Sequence, residues 1–84
     1  MARVLFFGRL RDAAGCGERE IALQSPIDLA GLRRLASGGD DDFEAVLAAP
    51  SIRIAINAVL APSGAALSVA PGDEVAFMPP FSGG

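Results

Sequence analysis

Hydrophobic and polar positions alternate from the start of the chain. Ala2, Val4 and Phe6 fall on one side of an extended segment over residues 2–8, and Arg3, Leu5 and Phe7 on the other. Both sides carry bulk, which suits a central strand with one face on the core and the other turned toward a partner. Gly8 ends the segment. Arg9–Ala14 reads as a helical turn stopped by Gly15-Cys16-Gly17. From Glu18 to Gln24 the alternation is clean, with Arg19, Ile21 and Leu23 inward and Glu18, Glu20, Ala22 and Gln24 outward. That predicts a half-buried strand and a hairpin partner for the first.

The period then changes. Leu29, Leu32 and Leu35 recur every third residue with Ala36 beside them, an apolar stripe on a helix. Asp28 is the expected N-cap, with Ser25-Pro26 as a rival start, and Ser37-Gly38-Gly39 is the stop. Arg33 and Arg34 near its end complement the helix dipole. A short second helix is expected over Phe43–Ala48, capped by an aspartate of the Asp40-Asp41-Asp42 run, with Phe43, Val46 and Leu47 inward.

Alternation returns in Ser51–Asn57, where Ile52, Ile54 and Ile56 share one face and Arg53, Ala55 and Asn57 the other. Ala58-Val59-Leu60 continues this strand or turns. Ala61-Pro62-Ser63-Gly64 is a turn, Ala65–Val69 a weak strand around Leu67, and Pro71-Gly72-Asp73 another turn. The last strand, residues 73–78, sets Val75 and Phe77 on one face and Ala76 and Met78 on the other. Hairpin strands interrupted by one long helix predict an α+β fold, a mixed sheet of four to five strands covered by one main helix with a short second helix. The first and last strands are expected as parallel central neighbours.

Two consecutive prolines, Pro79-Pro80, cannot donate backbone hydrogen bonds, so the last strand must stop there. The chain divides accordingly into a domain over residues 1–78 and an extended tail over 79–84. Pro79-Pro80 make the tail stiff, Phe81 supplies one aromatic anchor, and Ser82-Gly83-Gly84 taper to an unhindered α-carboxylate. Six extended residues reach roughly 20 Å. That shape suits an end group delivered into a narrow pocket of another protein.

Composition narrows the chemistry. With 84 residues, 51% of them hydrophobic, the chain makes one small globular domain. No apolar run approaches the ~20 residues of a membrane span, and the start lacks the features of a signal peptide, so a cytoplasmic protein is expected, with no membrane partner. Net charge is −3, all seven cationic side chains are arginines, and Trp and Tyr are absent; nucleic acid is not an expected partner. Asp40-Asp41-Asp42 reads as a solvated helix start, since three consecutive carboxylates cannot all reach one ion, and no metal site is expected. Cys16 is the only cysteine, which rules out an internal disulfide.

No histidine, tyrosine or lysine is available as a general acid or base, the lone thiol has no activating neighbour in sequence, and no glycine-rich loop precedes a helix. The residues argue against autonomous catalysis and against a cofactor bound by this chain. They leave Gly84 as the reacting position. An ionised carboxylate is inert, so it becomes an acyl donor only after activation, for example as an acyl adenylate, and the ATP for that step must be held by a partner.

Two segments carry a family resemblance that spans essentially the whole chain: Val4-Leu5-Phe6-Phe7-Gly8-Arg9-Leu10-Arg11-Asp12, and Gly72-Asp73-Glu74-Val75-Ala76-Phe77-Met78-Pro79-Pro80-Phe81-Ser82-Gly83-Gly84. They resemble the small subunit of molybdopterin synthase, a sulfur carrier with a ubiquitin-like β-grasp fold. The resemblance implies that an E1-like enzyme adenylates Gly84 and that a sulfur donor system converts it to a thiocarboxylate. It implies further that Phe81, Ser82, Gly83 and Gly84 enter the active sites of partners. In the large subunit the sulfur passes to cyclic pyranopterin monophosphate, building molybdopterin. By motif position the apolar docking residues are Phe7, Leu60 and Met78, with Met78 standing where the family carries a bulky aromatic. Three other readings share part of this pattern: a sulfur carrier for thiamine or another pathway, a ubiquitin-like protein modifier joined through Gly84, and an interaction module in which the Gly-Gly end plays no part.

Overall fold

The computed structural model describes residues 1–62 and 66–80. The expected tail residues Phe81, Ser82, Gly83 and Gly84, and the turn residues Ser63, Gly64 and Ala65, lie outside them. The elements run in the order β1 (Ala2–Phe6), α1 (Arg9–Ala14), β2 (Glu18–Ile21), β3 (Ile27–Asp28), α2 (Leu29–Ala36), α3 (Asp41–Leu47), β4 (Arg53–Ile56), β5 (Val59–Leu60), β6 (Ser68–Val69) and β7 (Glu74–Met78). Five strands form one mixed sheet in the order β2-β1-β7-β4-β5. β1 and β7 are the parallel pair near its centre, in the register Val4↔Val75 and Phe6↔Phe77, and the other pairings are antiparallel.

One face of this sheet is the core. Val4 and Phe6 of β1, Val75 and Phe77 of β7 and Ile54 of β4 meet Leu10, Leu32, Ala36, Phe43 and Leu47 from the three helices. Phe6 stacks on Phe77 at 6.2 Å between ring centroids and leans on Phe43 at 5.5 Å. Arg19 occupies an inward position opposite Val4 without becoming a buried bare charge. Its guanidinium lies 5.7 Å from the Phe6 ring centroid and donates to the carbonyl oxygens of Ala36 and Ala14. It thus ties β2 to the ends of α1 and α2.

Helix starts follow the sequence. The Asp28 carboxylate accepts from the Gly31 amide at 2.8 Å and that of Asp40 from the Phe43 amide at 3.1 Å, so each aspartate satisfies an orphan donor of its helix. Among the described residues no cluster of acidic, Cys or His side chains is placed to hold a metal. No helix of the described residues is long and apolar enough to cross a membrane.

Two apolar assignments fail. Leu35 is 45% exposed and Val46 43% exposed, although both were expected to face inward. At ~100° per residue, Leu29, Leu32 and Ala36 define an arc from whose centre Leu35 lies about 95° away. Val46 lies about 80° from the centre of the Phe43 and Leu47 pair. On helices this short, one narrow arc is all that the sheet covers.

Strand ends also shift. The first strand stops at Phe6, although the Phe7 amide still donates to the Phe77 carbonyl at 3.1 Å. The second regular strand ends at Ile21, with Leu23 buried beyond it. Residues 58–60 turn rather than continue: Asn57 and Ala58 both take positive φ, 51° and 68°, and fold β5 back onto β4. The weak strand expected around Leu67 is Ser68–Val69, and it pairs not with the main sheet but with Ile27–Asp28 in a separate two-stranded ribbon. That pairing sets Val69 into the core.

Candidate functional site

The face of the sheet away from the helices can be read row by row from the register. At the start of β7 the row is charged: Arg3 lies between Glu20 and Glu74, and its side chain pairs with Glu18 at 3.3 Å and with Glu74 at 3.6 Å. One step along, Leu5 neighbours Ala76, Ala76 neighbours Ala55, and Ala55 neighbours Leu60. The two alanines make a low floor with Leu60 standing at its edge. At the end of β7, Met78 is opposite Arg53, and Phe7 follows the last paired residue of β1. Polarity therefore falls along β7 toward the point where the chain leaves the body.

There the surface opens into a groove of about 570 Å³, lined by Phe7, Gly8, Arg53, Leu60, Met78, Pro79 and Pro80. Phe7 is 47% exposed and Leu60 50% exposed, large apolar side chains with no partner inside the domain to bury them. The three expected docking residues, Phe7, Leu60 and Met78, come from β1, β5 and β7 and meet in this one groove. Gly8 and Arg53 complete it, and sequence reasoning assigned neither a role at the site.

Two local devices hold the groove in shape. Gly8 has φ 57° and ψ −135°, a conformation L side chains rarely adopt, and a methyl group there would stand 2.9 Å from Pro79 Cγ. The turn after β1 can therefore approach the first residue beyond β7 only because position 8 is bare. The second device is Asn57. Its side chain donates to Asp73 at 3.1 Å and accepts from the Glu74 amide at 2.9 Å, tying the turn that carries β5 to the start of β7. The Ala70 amide donates to the other Asp73 oxygen at 2.8 Å. Held first by that amide and then by Asn57, the Asp73 carboxyl titrates below its ordinary value of 3.8. Polar turn residues flanking two strands were the only sequence signal for this network.

Cys16 is partly buried away from the groove, its Sγ 3.7 Å from an Arg19 nitrogen. Among the described residues the groove contains no carboxylate, thiol or hydroxyl side chain. Its chemistry is that of a contact surface.

A mixed five-stranded sheet with a parallel β1/β7 centre, crossed on one face by helices, is the ubiquitin-like β-grasp fold. Its outer face ends in an apolar groove beside Pro79 and Pro80, where β7 stops. The ThiS family model matches residues 4–84, and the chain belongs to the ThiS family of sulfur carriers. It is 33% identical to the molybdopterin synthase sulfur carrier subunit of Escherichia coli (strain K12), over the whole length of both chains. Among solved structures it is similar to SAMP1 from Haloferax volcanii, with TM-score 0.72 and 25% identity over 99% of this chain and 98% of that one. It is also similar to a putative molybdopterin converting factor subunit 1 from Pyrococcus furiosus, with TM-score 0.69 and 25% identity over 95% and 97% of the two chains.

Proposed function

We propose that this chain is the sulfur-carrying, non-catalytic small subunit of a molybdopterin synthase. The observation that carries the reading is the apolar groove at the tail root, lined by Phe7, Leu60, Met78, Pro79 and Pro80. It gives a partner a place to grip the body while residues 81–84 reach into that partner's active site. Full-length similarity to a molybdopterin synthase sulfur carrier subunit supports the same pathway.

In this scheme an E1-like enzyme holds ATP and joins the Gly84 carboxylate to AMP, releasing pyrophosphate. A sulfur donor system displaces AMP and leaves a thiocarboxylate. The loaded tail then enters the large subunit, where its sulfur bonds to cyclic pyranopterin monophosphate and water cleaves the acyl–sulfur bond, returning Gly84 to a carboxylate. Two such transfers supply the two sulfurs of molybdopterin. Gly83 and Gly84 matter because any side chain beside the reacting carbonyl would obstruct each narrow site. The chain supplies position and a leaving sulfur, and its partners supply catalysis and ATP.

Incubation with adenylating enzyme, ATP and a sulfur donor should raise the intact mass by one oxygen-to-sulfur exchange, localised to Gly84 by fragmentation. The loaded chain and a large subunit should then make molybdopterin. No thiocarboxylate under these conditions, or full activity with one residue appended after Gly84, would end the carrier reading. Similarity to SAMP1 supports a second reading, a ubiquitin-like modifier. Adducts between Gly84 and lysines of other proteins in place of molybdopterin would select it.

A further inference from the structure

The groove holds one charge. Arg53 stands on the outer face directly opposite Met78, the last residue of β7, and the other lining residues (Phe7, Gly8, Leu60, Met78, Pro79 and Pro80) are uncharged. Of the other arginines, Arg3 pairs with Glu18 and Glu74, Arg34 pairs with Glu44 and Arg19 donates to backbone carbonyls, while Arg9, Arg11 and Arg33 do not line this groove. Among the described residues Arg53 has no ion pair. It is exposed, and water satisfies its guanidinium while the groove is open.

Closing the groove changes that balance. A partner that covers Phe7, Leu60 and Met78 also strips water from Arg53. Leaving a guanidinium desolvated and unpaired costs several kcal/mol, enough to cancel the gain from the apolar contact. A purely apolar partner surface would therefore be rejected. A planar carboxylate offers two acceptors to the guanidinium fork and restores the balance.

We propose that Arg53 is a specificity-determining residue of the docking face, and that it receives an Asp or Glu side chain of the docking protein, set beside the apolar residue that fills the groove. The inference rests on the carrier reading and adds to it the chemistry of the partner's contact surface. Arg53 selects partners that carry an acid at this point and discriminates against equally apolar surfaces that lack one.

The test measures affinity of the full chain for the large subunit and for the adenylating enzyme from the same genome. Arg53→Glu should raise the Kd by roughly 30-fold or more for the partner that uses the contact, with unchanged thermal unfolding. Arg53→Lys should fall between, keeping the charge but losing the fork. Arg34→Glu, the same charge change on α2 across the sheet, should stay within about threefold, because a distant exposed charge acts only through screened long-range steering. Reversal of one acidic residue in that partner should restore binding to Arg53→Glu. Equal effects of Arg53→Glu and Arg34→Glu would overturn the proposal, as would failure of every acid reversal at the partner's interface. A shift of the Arg53 Nε–H resonance by inorganic phosphate alone would overturn it in favour of a small-anion site. If the unsubstituted chain binds neither partner, the carrier reading itself fails, an outcome distinct from the others.

Discussion

Gly8→Ala joins the backbone of the turn to the placement of Pro79. Position 8 holds φ 57° and ψ −135°, and an added Cβ would lie 2.9 Å from Pro79 Cγ. Forcing an L residue into such a sparsely populated region costs on the order of 1–3 kcal/mol before the contact with Pro79 is counted. For a domain of this size each kcal/mol lowers Tm by about 4–8 °C, so a fall of roughly 5–20 °C is expected in thermal unfolding. The structure can relax in two ways, by rotating the turn or by displacing Pro79. Both distort the groove, so affinity for the docking partner should fall even at temperatures where the variant is fully folded. Replacing Gly8 by D-alanine separates the causes, because its preferred φ is positive and its methyl takes the other substituent position on Cα, not the one that meets Pro79. The chain is accessible to chemical ligation at Gly15-Cys16. D-alanine should restore both stability and docking. If Gly8→Ala melts within about 2 °C of the parent and docks with unchanged affinity, neither the strain nor the close approach is real.

Further predictions follow from the same geometry. Ala58 sits at φ 68° in the β4–β5 turn, so Ala58→Gly should stabilise by up to about 1 kcal/mol, read from denaturant unfolding; relief of left-handed strain of ~1–2 kcal/mol exceeds the unfolded-state entropy gained by glycine. Leu60→Asp, at a residue 50% exposed, should change stability by no more than about 0.5 kcal/mol yet weaken partner binding at least tenfold by calorimetry. Asp73 has a folded pKa below 3.8, so its contribution is fully present above that value and is lost as pH falls through the folded one. Asp73→Asn should therefore unfold more easily than the parent at neutral pH, with the difference shrinking below about pH 4 in parallel urea melts.

Much of the fold is visible as one-dimensional pattern. Alternation over residues 2–7 and 73–78 marked the two central strands and sorted their faces, because a strand's side-chain period is two whatever it pairs with. Asp28 was readable as a cap, and so was an aspartate of the Asp40-Asp41-Asp42 run, because a helix start has a local chemical requirement; which of the three serves, Asp40, is decided in the fold. Pro79-Pro80 marked the end of the sheet for the same kind of reason: proline lacks a donor wherever it stands. The tail's candidate chemistry came from residue types and from the poverty of reactive groups elsewhere in the chain.

What is decided in three dimensions is which apolar residues find cover and which surfaces meet. Leu35 and Val46 belong to the same apolar sequence patterns as Leu32 and Leu47, but they sit at the edge of those patterns and remain exposed because the sheet covers only a narrow arc of each helix. Ile27–Asp28 and Ser68–Val69 form a ribbon of two residues each, too short to leave a periodic signal. Gly8 reads in sequence only as a strand terminator, and its closeness to Pro79 depends on the parallel pairing of β1 with β7, strands at opposite ends of the chain. Arg53 reads only as an outward position on a strand; its place opposite Met78 depends on how β4 registers against β7. Local periodicity and backbone chemistry act over a few residues and can be read from the sequence. Register, cover and close approach are set by the whole sheet at once.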